Sequence, residues 1–292
     1  MSRWACEKIP KRLFLYWGRN RPLSLMRYLT VKSFVSLNPD WEVHIYYSRD
    51  KGREETWSTK EQMGCRVPRN YPNYFSKLQT LERVELVEVS FYSLGIRKRV
   101  AEVHKSDLLR WYLFSTFAGV WSDFDIVYIK PMSELMPLLA AEADLFFCTY
   151  KKDRRLVYPI GFLGAGEGAG QSFYEEVFER GKKLLKYDPK SIRGYQTFGR
   201  FLLEQMLSEK LSSASDDPAV SLLPSEVVYP VRNAHRYYRQ QPLSLPPETI
   251  GLHWYAGHKA SSQMEYTVTE RNIQDKAKTS VLLRRMLEIV GD

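Results

Sequence analysis

The sequence predicts an α/β protein in which a mainly parallel central sheet is flanked by helices. Two observations carry this reading: strand-like and helix-like segments alternate from the N-terminus, and 44% of the 292 residues are hydrophobic, enough for a substantial core. A third observation, a pair of aspartates inside an apolar run, suggests what such a sheet is for. The run "RLFLYWG" (residues 12–18) is compact, apolar and closed by glycine, and reads as the first strand. In "LSLMRYLTVKSFVSL" apolar residues recur at helical spacing until Asn38-Pro39 stops them. "WEVHIYY" alternates as a second strand, with Val43, Ile45 and Tyr47 on one side. Residues 48–80 are polar and proline-bearing and yield no element. "VELVEV" (84–89) is a third strand, and "VAEVHKSDLLRWYLFSTFAG" a helix over about 100–117 that Gly119 closes.

Beyond this point the pattern predicts strands at "DLFFCTY", "GFLGAG", "SEVVYPV" and "TIGLHWY". Helices are expected near 171–187 and 195–208, with an amphipathic C-terminal helix over about 270–290. No repeat, low-complexity tract or linker interrupts the chain. One domain is therefore expected over 1–292, with functional halves at about 9–131 and 132–265.

No stretch approaches the ~20 apolar residues of a membrane span, and charges run through the N-terminal segment where a signal peptide would be apolar. Cys6, Cys65 and Cys148 are odd in number and far apart, which argues against a disulfide framework or a zinc site. A cytoplasmic location is the expectation, with attachment to a membrane surface allowed. The net charge of +9 asks for an anionic partner: nucleic acid, an acidic membrane face or a phosphorylated substrate. The basic residues fall in short pieces ("RNR", "RKR", "KKDRR") without a zinc-finger, RRM or helix-turn-helix signature, so nucleic acid ranks last.

The chemistry concentrates in "GVWSDFDIVYIKP" (119–131). In an extended chain Asp123 and Asp125 point to one side and Phe124 to the other. Two carboxylates held that close need a cation between them, and a hard divalent ion with oxygen ligands, Mn²⁺ or Mg²⁺, meets that need; substrate phosphates usually complete its shell. Taken alone, a D-x-D is more often a solvated turn, and the surroundings decide. Upstream, "SDLLR" puts Asp107 and Arg110 on one helical face just before that strand.

Together these residues resemble a family. The linked motifs in "SDLLRWYLFSTFAGVWSDFD" and the opening "IPKRLFLYWGRNRPLS…SFVSLNPDWEVHIYY" are similar to glycosyltransferases with the DXD sugar-binding motif, such as fungal initiating α-mannosyltransferases and the glucosylating domains of large clostridial toxins. The likeness covers about 9–131 and thins beyond. It implies a single GT-A domain with the nucleotide-sugar site at the carboxyl edge of its strands, and metal-dependent transfer of a hexose with retention of configuration. By this resemblance Trp17 stacks on the nucleotide base, and Asp107 and Arg110 hold the donor's sugar hydroxyls. Asp123 contacts ribose and metal, and Asp125 ligates the metal. In "GLHWYAGHKASS", His253 and Lys259 resemble an H-x-x-x-x-x-K element of bacterial galactosyltransferases and glycogenin-type enzymes, which implies a third metal ligand and a diphosphate contact. His258 could take the phosphate instead.

There are departures. Ala118-Gly119-Val120-Trp121 stands where the family often has G-G-x-Y, "GYQTFGR" (194–200) replaces a Gly-Pro element, and no tryptophan follows "HKASS". Gln196 is the candidate near the reacting carbon, and the glycines of "GFLGAGEGAG" are expected to line the sugar pocket. UDP-glucose, UDP-galactose and GDP-mannose donors stay open, with Trp17 favouring UDP. A lipid-linked or capsular glycan, a protein and a free oligosaccharide stay open as acceptors. The rival readings are a basic, non-catalytic module for nucleic acid or anionic lipid, and a metal-dependent phosphohydrolase built on the same aspartates.

Overall fold

The computed structural model describes residues 8–18, 21–49, 67–96, 100–188, 193–210 and 218–291. Cys6, Cys65, the "RKR" piece and most of "RNR" lie outside the described residues. Cys148 is buried and free of any disulfide.

The first half follows the expected alternation: β1 (Arg12–Trp17), α1 (Leu25–Leu37), β2 (Glu42–Tyr47), β3 (Val84–Glu88), α2 (Glu102–Thr116) and β4 (Gly119–Ser122). Local signals set the ends of α1. The Ser24 hydroxyl accepts the Arg27 amide, and the Asn38 side-chain amide donates to the Phe34 carbonyl. Strands β3, β2, β1 and β4 lie side by side in that order, all parallel. β1 is buried on both faces, so period two divides its side chains between two cores. Leu13 and Leu15 join the core that includes Met26 and Phe34 of α1 and Leu282 near the C-terminus. Phe14 and Tyr16 join the other, with Leu108 and Trp111 of α2.

The second half departs from the mainly parallel expectation. It comprises β5 (Ile126–Tyr128), β6 (Leu145–Lys152), β7 (Arg155–Val157), β8 (Phe162–Ala165), α3 (Ala169–Tyr187), α4 (Arg200–Lys210), β9 (Val220–Pro224), β10 (Gly251–His253), α5 (Lys259–Glu265), α6 (Ile273–Ala277) and α7 (Val281–Val290). β8 runs antiparallel to β4 and to β6, β7 is antiparallel to β6, and β9 is parallel to β6. The eight-stranded sheet is therefore mixed, with helices on both faces. Connection length explains the change. β6, β7 and β8 follow one another too closely for the crossover that parallel pairing demands.

Three further expectations are corrected. "SEVVYPV" is not a strand: Ser225–Val227 form a single 3₁₀ turn, and the strand is the preceding β9, whose burial alternates along its length. The C-terminal helix is two helices, because the Ser280 hydroxyl accepts the Leu283 amide and starts α7 afresh. Finally, the apolar run holding the aspartates is not one strand. β4 belongs to the main sheet, β5 pairs only with β10 in a separate ribbon, and residues 123–125 form the turn between them.

Candidate functional site

Trp17 ends β1 and Asp123 follows the last residue of β4, so both stand at the carboxyl ends of adjacent parallel strands. A cleft of about 950 Å³ opens there. Trp17, Asp107, Arg110, Asp123, Asp125, Gln196, His253 and His258 all line it. Lys259 does not: it is exposed on the first turn of α5. His258 caps that helix, its Nδ1 accepting the Ala260 amide at 3.2 Å.

The two aspartates meet because of the turn rather than a shared strand face. Main-chain bonds clamp it on both sides: the Asp123 amide donates to the Gly161 carbonyl, and the Trp254 amide to the Asp125 carbonyl, each at 2.8 Å. Phe124 is turned into the core, its ring 5.7 Å from that of Trp17. The β5–β10 register sets His253 opposite Ile126, which carries the imidazole to the turn. Asp123, Asp125 and His253 can each offer a ligand atom, and these atoms all lie within 4.8 Å of one another. Two carboxylates and an imidazole are a donor set suited to Mn²⁺, and acceptable for Mg²⁺ with water and phosphate completing the shell.

Each carboxylate is held by a different set of groups. Asp123 Oδ1 accepts the Trp121 indole N–H at 2.8 Å and an Arg110 guanidinium N–H at 3.3 Å. Asp125 Oδ2 accepts the Ala256 amide at 2.8 Å, and its Oδ1 lies 3.2 Å from His253 Nε2. Burial pushes the Asp125 carboxyl up, but the His253 ring, Arg27 and the Ala256 amide outweigh it and hold the group well below the usual carboxylate range.

The Asp107–Arg110 pair is not the surface pair that its spacing would ordinarily denote. Its side chains are 4% and 2% exposed, 3.1 Å apart. The guanidinium is also held 4.5 Å from the Trp121 ring centre. Burial drives the Asp107 carboxyl up to about 7, with Asp123 adding to the rise and Arg110 opposing it.

Three residues of the site carried no local signal. Arg27 of α1 lies 4.8 Å from the Trp17 ring centre and 5.5 Å from that of Trp254, with its Nε donating to Glu265 at 2.6 Å. Arg27 and Glu265 are 238 positions apart in sequence, and no pattern links them. Tyr229, in the segment expected to be a strand, sets its ring 4.9 Å from that of His253. Gly161 is the one glycine of "GFLGAGEGAG" that lines the cleft; Gly164 abuts the Phe146 ring instead. A Cβ at Gly161 would lie 2.7 Å from the Tyr229 hydroxyl and 2.8 Å from Asp123 Oδ2. Gly161→Ala should therefore displace Asp123. A loss of about 1–3 kcal/mol is expected for such overpacking, read by urea unfolding, with weaker Mn²⁺ binding read by titration.

No family model and no curated protein matches this chain. Solved structures resemble it remotely. The glycosyltransferase GlyE of Streptococcus pneumoniae TIGR4 shares 11% identity at a TM-score of 0.49, over 96% of this chain and 61% of GlyE. The PaToxG glycosyltransferase shares 12% at 0.46, over 70% and 69%. The galactosyltransferase LgtC shares 12% at 0.43, over 91% and 99%. Thus the chain spans about six tenths of the length of GlyE. Likenesses this distant assign no residue a role.

Proposed function

We propose that this chain is a metal-dependent glycosyltransferase of GT-A type. It moves a hexose from a UDP- or GDP-linked donor to a hydroxyl of a glycan, lipid-linked or protein acceptor, with retention of configuration. The observation that carries the reading is the gathering of Asp123, Asp125 and His253 at a cleft on the carboxyl ends of β1 and β4. The sequence resemblance shares the D-x-D with this observation and adds to it the helix feeding into that motif and the opening segment of the chain.

In this reading Asp123, Asp125 and His253 hold the divalent cation, which when bound supplies Lewis-acid stabilisation of the departing diphosphate. Asp125 stays ionised because its neighbours hold its carboxyl low, so it needs no proton removed before it binds a cation. Arg110 acts mainly through others: its guanidinium fixes Asp123 on one side and Asp107 on the other. Asp107, lining the cleft, accepts from the donor's sugar hydroxyls. Trp17 offers the nucleotide base an aromatic face, with Arg27 packed against the ring. Gln196 and His258 line the cleft and supply polar groups for the sugar and the phosphates. An oxocarbenium-like transition state then needs no covalent nucleophile from the protein.

Calorimetry tests the reading. Mn²⁺ should raise the affinity for UDP or GDP by about 5–150-fold, the usual range of coupling between two ligands. Base stacking on Trp17 should make Trp17→Ala cost about 1–3 kcal/mol of nucleotide affinity. Equal nucleotide affinity in EDTA and in Mn²⁺ would sink the proposal.

A further inference from the structure

The "KKDRR" piece forms a hairpin that the metal cluster and its cleft do not use. β6 and β7 pair with Lys151 opposite Leu156 and Lys152 opposite Arg155, joined by Asp153 and Arg154. Two local rules are broken within these few residues. Asp153 and Arg154 both have positive φ, 48° and 65°, in a turn that normally ends in glycine. Lys152 and Arg155 face each other as like charges, which disfavours strand pairing. Leu156 is 42% exposed between the cations and the core. Lys151, Lys152, Arg154 and Arg155 are all exposed, and none has an ion-pair partner among the described residues.

The ribbon stands at the rim of the cleft. Tyr150 and Val157, the pair at its base, line the cleft, and the guanidinium of Arg232 lies 5.6 Å from the Tyr150 ring centre. Conflicts of this kind collect where function demands them, and an anionic partner would relieve the charge conflict. Period two sends Lys152 and Arg155 to one face of the ribbon, Lys151 and Leu156 to the other. Cations spread in this way do not converge on one small anion. They suit a plane of many anionic headgroups, with an apolar layer beneath to receive Leu156. Nucleic acid is the other extended polyanion, but the ribbon's one aromatic, Tyr150, stands at its base and none is interleaved with the cations, so the ribbon lacks the row of rings on which successive bases stack.

We propose that the β6–β7 hairpin docks this protein on an anionic lipid surface and sets the mouth of the cleft against the bilayer. Docking itself does not depend on the sugar-transfer reading; the corollary that the acceptor hydroxyl is lipid-borne rests on it.

The test sediments the full chain with vesicles of phosphatidylcholine alone, or of phosphatidylcholine and phosphatidylglycerol in equal parts. Binding is expected to the mixed vesicles only and to be lost at high salt. Each cation replaced by glutamine should lower partitioning by roughly fivefold, and Lys151→Gln, Lys152→Gln, Arg154→Gln and Arg155→Gln together by about two to three orders of magnitude. Leu156→Ser should weaken binding without changing its salt dependence. Lys152→Gln with Arg155→Gln removes a repulsion, so its thermal midpoint should hold or rise, which separates lost docking from lost folding. Equal binding to both vesicle types, sedimentation of the fourfold variant like wild type, or a preference for RNA over the mixed vesicles overturns the proposal. Calorimetry with Mn²⁺ and UDP or GDP on the fourfold variant should match wild type. Vesicle binding by a wild-type chain that binds no nucleotide would uphold docking and remove the sugar-transfer reading.

Discussion

Asp125→Asn should lower metal-dependent sugar transfer by at least about 10²–10³-fold, the scale of losing one electrostatic stabiliser of a transition state. Asparagine keeps the size and can still accept the Ala256 amide that Asp125 Oδ2 accepts now, so the turn should survive. What disappears is the charge that a hard cation requires. His253→Ala removes another candidate ligand of the same cluster. If both act through one ion, the double variant should be hardly worse than Asp125→Asn, because groups acting as a unit are strongly non-additive. Initial rates with a nucleotide sugar across a Mn²⁺ titration measure this. Losses that multiply would mean that the two residues serve separate purposes.

The second large effect falls on stability. Arg110→Ala strips the cation from two carboxylates at once, one of them on a buried side chain. Removing one partner of a buried pair typically costs about 3–5 kcal/mol. The pH dependence identifies the cause. In the folded protein Asp107 holds its proton up to about pH 7, against an ordinary value near 3.8. The folded state therefore binds more protons between those limits, and its stability is greatest below the lower one and falls as pH rises through the upper. Taking Arg110 away removes a group that lowers the Asp107 value, so the decline should extend to higher pH. Urea unfolding in EDTA at several pH values should show a small deficit for Arg110→Ala in acid and a large one in base. Adding Asp107→Asn should remove much of the basic-side deficit. A deficit independent of pH would assign the cost to lost packing on Trp121 instead.

The sequence by itself determined the first half of this protein. β1, α1, β2, β3 and α2 appear where periodicity puts them, because an alternating strand, and Ser24 and Asn38 at the ends of α1, act over a few residues; Gly119 does not close α2, whose C-cap is Phe117, but opens β4. The D-x-D and the i,i+3 pair of Asp107 and Arg110 are local in the same way, and so could be read directly. Only the tertiary structure decided the rest. The direction of β6, β7 and β8 follows from which strand each joins, and short connections favoured antiparallel neighbours. Asp123 and Asp125 come together through a turn clamped by Gly161 and Trp254, not through a strand face. Burial turned the Asp107–Arg110 pair from an exposed contact into a charged element of the interior. The Ala256 amide reaches Asp125 from 131 positions away, and Glu265 reaches Arg27 from 238. Contacts of that range follow from the packing of whole elements, and the spacing of neighbouring side chains carries no record of them.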